Sequence, residues 1–89
     1  MDANHAQIVK DLRKAGAEVE SLAGIGLGVP DLLVSYRGVN YLLEVKREDG
    51  TLRVSQIEWM KRWRGQVDVV RSSQEALEAI GAVKRKGVA

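Results

Sequence analysis

The chain has 89 residues, 45% of them hydrophobic and 29% charged, with a net charge of +2 and no cysteine. A chain this short implies one domain, residues 1–89, that buries only a little over half of its unfolded surface, so a partner copy would help it. The missing cysteine excludes disulfides and thiolate metal sites and fits a reducing cytoplasm. No apolar run nears the ~20 residues that span a bilayer, and "MDANHAQIVK" lacks the basic-then-apolar order of a signal peptide.

In chain order, Ile8, Val9 and Leu12 alternate with Lys10, Asp11, Arg13 and Lys14 at helical spacing over 4–15. Asn4 is the expected N-cap, with Gln7 three residues on, and Gly16 the expected stop. A short strand follows over 17–22. Residues 31–36 and 39–47 read as two strands joined by a tight turn at Arg37-Gly38, and "EDGT" at 48–51 is a second turn. Ser55 and Glu58 form a capping box that opens a helix to about Trp63, closed near Gly65. "QVDVVR", 66–71, reads as a strand, and Ser72 with Glu75 as a capping box opening a short helix to Ile80. "KRKGVA", 84–89, is a basic tail expected to fray. The order α-β-β-β-α-β-α predicts an α/β (α+β) fold with one mixed sheet flanked by helices.

"GIGLGVPDLLV", 24–34, has the glycines of a phosphate loop but not the context. A dinucleotide fingerprint needs a helix directly after the glycines, whereas Pro30 biases Val29 toward extended backbone and leads into a strand. No Gly-Lys-Ser/Thr follows, which excludes a Walker loop. What remains is a turn, with glycine allowing a close backbone approach to a ligand beside Asp31.

If Arg37-Gly38 is a two-residue hairpin loop, the register that pairs Tyr36 with Val39 sets Asp31 directly opposite Glu44. Their Cβ atoms would then be about 4.5–5.5 Å apart on one sheet face, and Lys46, two residues on, would share that face. A four-residue loop keeps the faces and a three-residue loop parts the two acids. Opposed like charges destabilise a sheet, so something must offset them. A hard divalent cation, Mg²⁺ or Mn²⁺, suits an oxygen-only site; a solvated Asp-Glu-Lys cluster is the plain alternative. A lone acid-x-Lys triplet carries little, since ~0.5 are expected by chance in a chain this long. The weight lies in the combination of Pro-Asp opening one strand, Glu-Val-Lys ending its partner, and a basic helix after it.

"GVPDLLVSYRGVNYLLEVK" resembles the PD-(D/E)xK nuclease superfamily, and more narrowly the stand-alone phage-type VRR-NUC (virus-type replication-repair nuclease) domains, which are similar to Holliday junction resolvases. The resemblance covers nearly the whole chain and implies a restriction-endonuclease-like core. It implies Asp31 and Glu44 as metal ligands, with the Val45 carbonyl as a third. Lys46 would orient or activate the attacking water, and Gln56 matches a glutamine common at the next helix. It also implies a homodimer acting on branched DNA such as four-way junctions, in a bacterial host cytoplasm if phage-encoded, with no organic cofactor and no membrane. One departure is that many relatives carry an acid on the first helix, where this chain has His5. That favours one metal over two. As an ordinary residue, His5 would be exposed in the helix's first turn; a hydrogen-bonding or ligand role is the alternative.

Arg47 and Arg53 flank the hairpin exit and are the better candidates for phosphate contact; Lys61 and Arg62 follow on the next helix, where a basic run is also a plain solvated face. Trp59 and Trp63 share a helix face, with core packing, a dimer interface and base stacking as successive readings. Together with this resemblance, the residues favour a metal-dependent endodeoxyribonuclease. The rival is a non-catalytic DNA-binding or assembly module on a nuclease-like fold, and a third reading is a cutting subunit of a larger phage machine.

Overall fold

The computed structural model describes residues 3–85. Its elements are α1 (Ala3–Lys14), β1 (Glu18–Ser21), β2 (Leu32–Tyr36), β3 (Val39–Val45), α2 (Val54–Arg62), β4 (Asp68–Val70) and α3 (Ser73–Ala79), in the expected α-β-β-β-α-β-α order. The sheet runs β1-β2-β3-β4, antiparallel at the first two junctions and parallel between β3 and β4. The parallel pair needs a crossover long enough to return the chain, and α2 lies in that connection.

The β2–β3 hairpin turns on two residues. Arg37 and Gly38 both have positive φ, +49° and +82°, as a two-residue loop matched to the strands' right-handed twist requires. The Arg37 guanidinium stacks 5.0 Å from the centre of the Tyr36 ring, which helps hold a non-glycine residue there. Tyr36 therefore pairs with Val39, and the ladder continues to Leu32 opposite Leu43.

One face of the sheet carries Val19, Leu32, Val34, Leu43, Val45 and Val70. They pack against Ile8 and Leu12, one turn apart on α1, and against Ala76 of α3 and Ile80 just beyond it. Each such aliphatic contributes about 1.5–3 kcal/mol when fully buried. On the opposite face lies α2, whose buried residues are Gln56 and Trp59. Among the described residues no helix is long and apolar enough to cross a membrane.

Several boundaries differ from the expected ones, each because a side chain claims a backbone group. Asn4 lies inside α1 and is not its cap; its Nδ2 donates to the carbonyls of Lys46 (3.1 Å) and Arg71 (3.4 Å), tying α1 to the ends of β3 and β4. Gln7 donates to Asp11 one turn on. At α2 the cap position belongs to Arg53, not Ser55, and Gln56, not Glu58, reaches back, its Oε1 accepting from the Arg53 N–H at 2.8 Å. Arginine has no acceptor, so only this returning half of a capping box is made. At α3 the Ser72 hydroxyl accepts from the Glu75 N–H as expected, but Glu75 turns to the Arg71 N–H. The strand expected over 66–71 shrinks to three residues. Gln66 instead pairs through its side-chain amide, accepting from the Leu42 N–H (2.7 Å) and donating to the Leu42 carbonyl (3.0 Å). β3 stops at Val45, although the Lys46 N–H still reaches the Val70 carbonyl. Of the basic tail, 86–89 lie outside the described residues.

The glycine segment closes onto the protein itself. Gly28 has φ +82°, and a Cβ there would collide with the Ser55 carbonyl in the first turn of α2. Gly28→Ala therefore incurs both backbone strain and displacement of α2, and should cost about 2 kcal/mol or more. Gly24 has open space around its Cβ position, so Gly24→Ala should be neutral or stabilise by up to about 1 kcal/mol. Denaturant unfolding of the two variants checks this contrast.

Candidate active site

Pro30 is buried and delivers Asp31 at the mouth of β2. The Asp31 carbonyl accepts from the Leu22 N–H (2.7 Å), and its Oδ2 accepts from the Val45 N–H (2.9 Å). Asp31 is thus held from both neighbouring strands, facing Glu44 as the hairpin register demands. Glu44 is only 1% exposed. Its Oε2 accepts from Gln56 Nε2 (2.9 Å) and lies 3.6 Å from the Lys46 ammonium. Its Oε1 is buried with no hydrogen-bond partner.

That arrangement is electrostatically incomplete. Burial, followed by the charge of Asp31 and a proton shared with it, raises the Glu44 pKa from 4.5 to about 7, while Lys46 draws it partly back. Two carboxylates can hydrogen-bond to each other only when one carries a proton, so in the ionised form Oε1 has nothing to accept from. In the ionised form Lys46 therefore lies beside one oxygen of Glu44 and leaves the other without a donor.

Asp31 opens onto a cleft of about 230 Å³, lined also by Arg53, Ser55, Gln56 and the loop residues Gly26, Leu27 and Gly28. Gln56 spans this wall, holding the Arg53 N–H with its oxygen and Glu44 with its nitrogen. Val45 is present through its N–H on Asp31. Arg47 is exposed just past Lys46, and Arg71 fixes the turn after it by donating to the Arg47 and Gly50 carbonyls. Lys61 and Arg62 sit exposed in the last turn of α2, at the opposite end of the helix from Gln56, where they also complement the helix dipole. His5 is half-buried, not exposed, and lines a separate apolar groove with Val9, Val19 and Leu32. Trp59 is buried and Trp63 is 41% exposed, their rings stacked with centroids 4.6 Å apart.

Sequence reasoning missed the long-range bonds of Asn4, Gln66 and Arg71, each of which binds backbone carbonyls or amides of a segment remote in sequence. No local pattern signals such bonds. The Gln56–Glu44 contact was half visible, since both residues were singled out, but not that they touch.

Among the described residues no group of three or more His, Cys, Asp or Glu side chains could hold a metal ion. The donors are two carboxylates, one with an unused buried oxygen, and hard oxygens of this kind suit Mg²⁺ or Mn²⁺.

No family profile matches the sequence, and no curated protein matches it. Among solved structures, a VRR_NUC domain is similar to this chain, with 30% identity and a TM-score of 0.66, over 86% of this chain and 89% of that one. Fold and site together define a small mixed-sheet domain with Asp31 on a cleft wall and Glu44 buried beside it. The chain belongs to the VRR_NUC domain family.

A pH dependence of stability follows from Glu44. Its folded pKa, about 7, lies above the ordinary 4.5, so the folded protein keeps a proton that the unfolded chain releases. Stability without divalent cations should therefore fall as pH rises from about 4.5 to about 7 and level off above. Glu44→Gln should flatten this slope and raise stability at pH 8, because a buried charge is removed. Thermal melts across pH in EDTA measure both effects; an unchanged slope in Glu44→Gln would contradict them.

Proposed function

We propose that the protein is a metal-dependent endodeoxyribonuclease of the PD-(D/E)xK type, selective for branched DNA such as four-way junctions. The observation that carries the reading is the buried, unpartnered Oε1 of Glu44 facing Asp31. A cation between the two carboxylates would satisfy both, with the Val45 carbonyl as the proposed third ligand. When bound there, Mg²⁺ or Mn²⁺ supplies acidification of a water and neutralisation of charge on the scissile phosphate.

The chain's own residues do the rest. Asp31 is oriented by the Val45 N–H and Glu44 by Gln56, so the two anionic groups are held in place before substrate arrives. Gln56 acts through Glu44 and so is a positioning residue. The Lys46 ammonium, beside Glu44 and half-buried, offers positive charge to the phosphate and orients the attacking water. Arg53, on the cleft wall, and Arg47 hold flanking phosphates; Lys61 and Arg62 extend that contact more weakly. Exposed Val54 and Ile57 on α2, with Trp63 beyond its end, are the surface through which two copies would pair, giving a symmetric homodimer suited to a two-fold junction.

The second reading, a non-catalytic DNA-binding module, draws on one observation: His5, at the position expected for a first-helix acid, lines a different groove and adds no ligand beside Asp31 and Glu44.

Cleavage of four-way junctions, flaps, duplex and single strands should require Mg²⁺ or Mn²⁺ and stop in EDTA. Asp31→Asn and Glu44→Gln should abolish it while retaining the fold, and Lys46→Ala should slow single-turnover cleavage more than it weakens DNA binding. Full activity in either carboxylate variant would refute the site. Wild-type protein that binds these DNAs without cutting any would favour the second reading. Replacing Arg47 or Arg53 should weaken binding to all sequences and reduce the salt slope by about one; a loss confined to some sequences would instead indicate base readout.

A further inference from the structure

We propose that Leu27, with Ile25 two residues before it, is an apolar wedge that enters a DNA base step beside the cleft and unstacks it. The inference rests on the reading of the cleft as a DNA site and adds what that reading lacks, a physical source of preference for branched substrates.

Three observations converge on Leu27. It is 84% exposed, the most exposed large hydrophobic among the described residues, and Ile25 is 56% exposed. A single exposed leucine needs no explanation, but this one also has φ +59°, between Gly26 at +69° and Gly28 at +82°. Left-handed backbone costs a residue with a Cβ about 1–2 kcal/mol, which glycine avoids. The backbone thus carries a cost to place a side chain that adds nothing to the core. Third, Leu27 lines the same cleft as Asp31, Arg53 and Gln56.

The loop is also braced. The Ile25 N–H donates to the Leu22 carbonyl (3.0 Å) and the Val29 N–H to the Gly26 carbonyl (3.1 Å), while Gly28 rests on the first turn of α2. An apolar tip held rigidly beside a carboxylate cleft and the Arg53 cation matches what a nucleic acid presents at a helix step, an apolar stack between anionic backbones. Leucine and isoleucine inserted between bases unstack them at a cost of a few kcal/mol per step. That cost is lowest where stacking is already interrupted, so a wedge here favours branch points over continuous duplex.

The test uses the full chain and DNAs carrying 2-aminopurine at the branch of a four-way junction or within linear duplex. Leu27→Asn keeps a residue that tolerates left-handed backbone but removes the apolar side chain, and Leu27→Met keeps apolar bulk. Wild type and Leu27→Met should brighten the branch fluorophore. Leu27→Asn should lose most of that signal and bind the junction about tenfold more weakly, with linear-duplex affinity changed less than about twofold. Its melting temperature should be unchanged or higher. Equal brightening and an equal junction-to-duplex ratio in Leu27→Asn would overturn the wedge. So would loss of cooperative melting, which assigns Leu27 to the fold, or conversion of a wild-type dimer to monomer, which assigns the loop to a second copy. Wild type that binds and unstacks without cutting refutes the nuclease reading alone; wild type that binds no DNA refutes both.

Discussion

The opposition of Asp31 and Glu44 across one hairpin is the constraint around which the rest of the structure is arranged. Two carboxylates on adjacent strands repel, and burying one of them removes the water that would otherwise screen the pair. The fold answers with the Val45 N–H on Asp31, and with the Gln56 amide and the Lys46 ammonium on one oxygen of Glu44. The other oxygen is left without a partner. A purely structural cluster would be expected to satisfy it or replace it, since a buried ionised group with an unmet acceptor costs more than an apolar side chain of similar volume. The stability given up at this point is what the proposed cation would recover.

The elements around the pair serve it in distinct ways. α1 and α3 pack on one sheet face and complete the apolar core, while α2 brings Gln56 onto Glu44 on the other. The loop before β2 then packs on the first turn of α2 through Gly28, so the walls of the cleft are fixed against each other. Asn4 and Arg71 secure the backbone just past β3, where Lys46 and Arg47 emerge. The wedge proposed for Leu27 belongs to this same braced loop, and its strained backbone fits a role at the cleft better than one in the core.

Much of this was legible because it depends on short-range geometry. Arg37-Gly38 read as a tight turn, and a two-residue turn, which the structure has, fixes the register that sets residue 31 against residue 44. Ile8 and Leu12 announced the buried stripe of α1 by spacing alone. Where the reading slipped, a long-range bond had displaced a local one. Asn4 has the composition of a cap but spends its amide on Lys46 and Arg71; Ser55 has the composition of a cap, but Gln56 is drawn to Arg53 and Glu44 and moves the helix start with it. The glycines were read as leaving room for a ligand, and Gly28 instead leaves room for Ser55.

The sequence by itself determined the order of elements and, given a two-residue turn at Arg37-Gly38, the register that puts Asp31, Glu44 and Lys46 on one face, because turn chemistry and the two-residue period of a strand act over a few neighbouring residues. Only the tertiary structure decided how deeply Glu44 is buried, that Gln56 rather than Lys46 makes its short contact, and that one carboxylate oxygen has no partner. It also decided which basic residues reach the cleft, Arg53 doing so while Lys61 and Arg62 lie at the far end of α2. Burial and electrostatics are set by what packs against a residue from remote parts of the chain, and no local pattern records that.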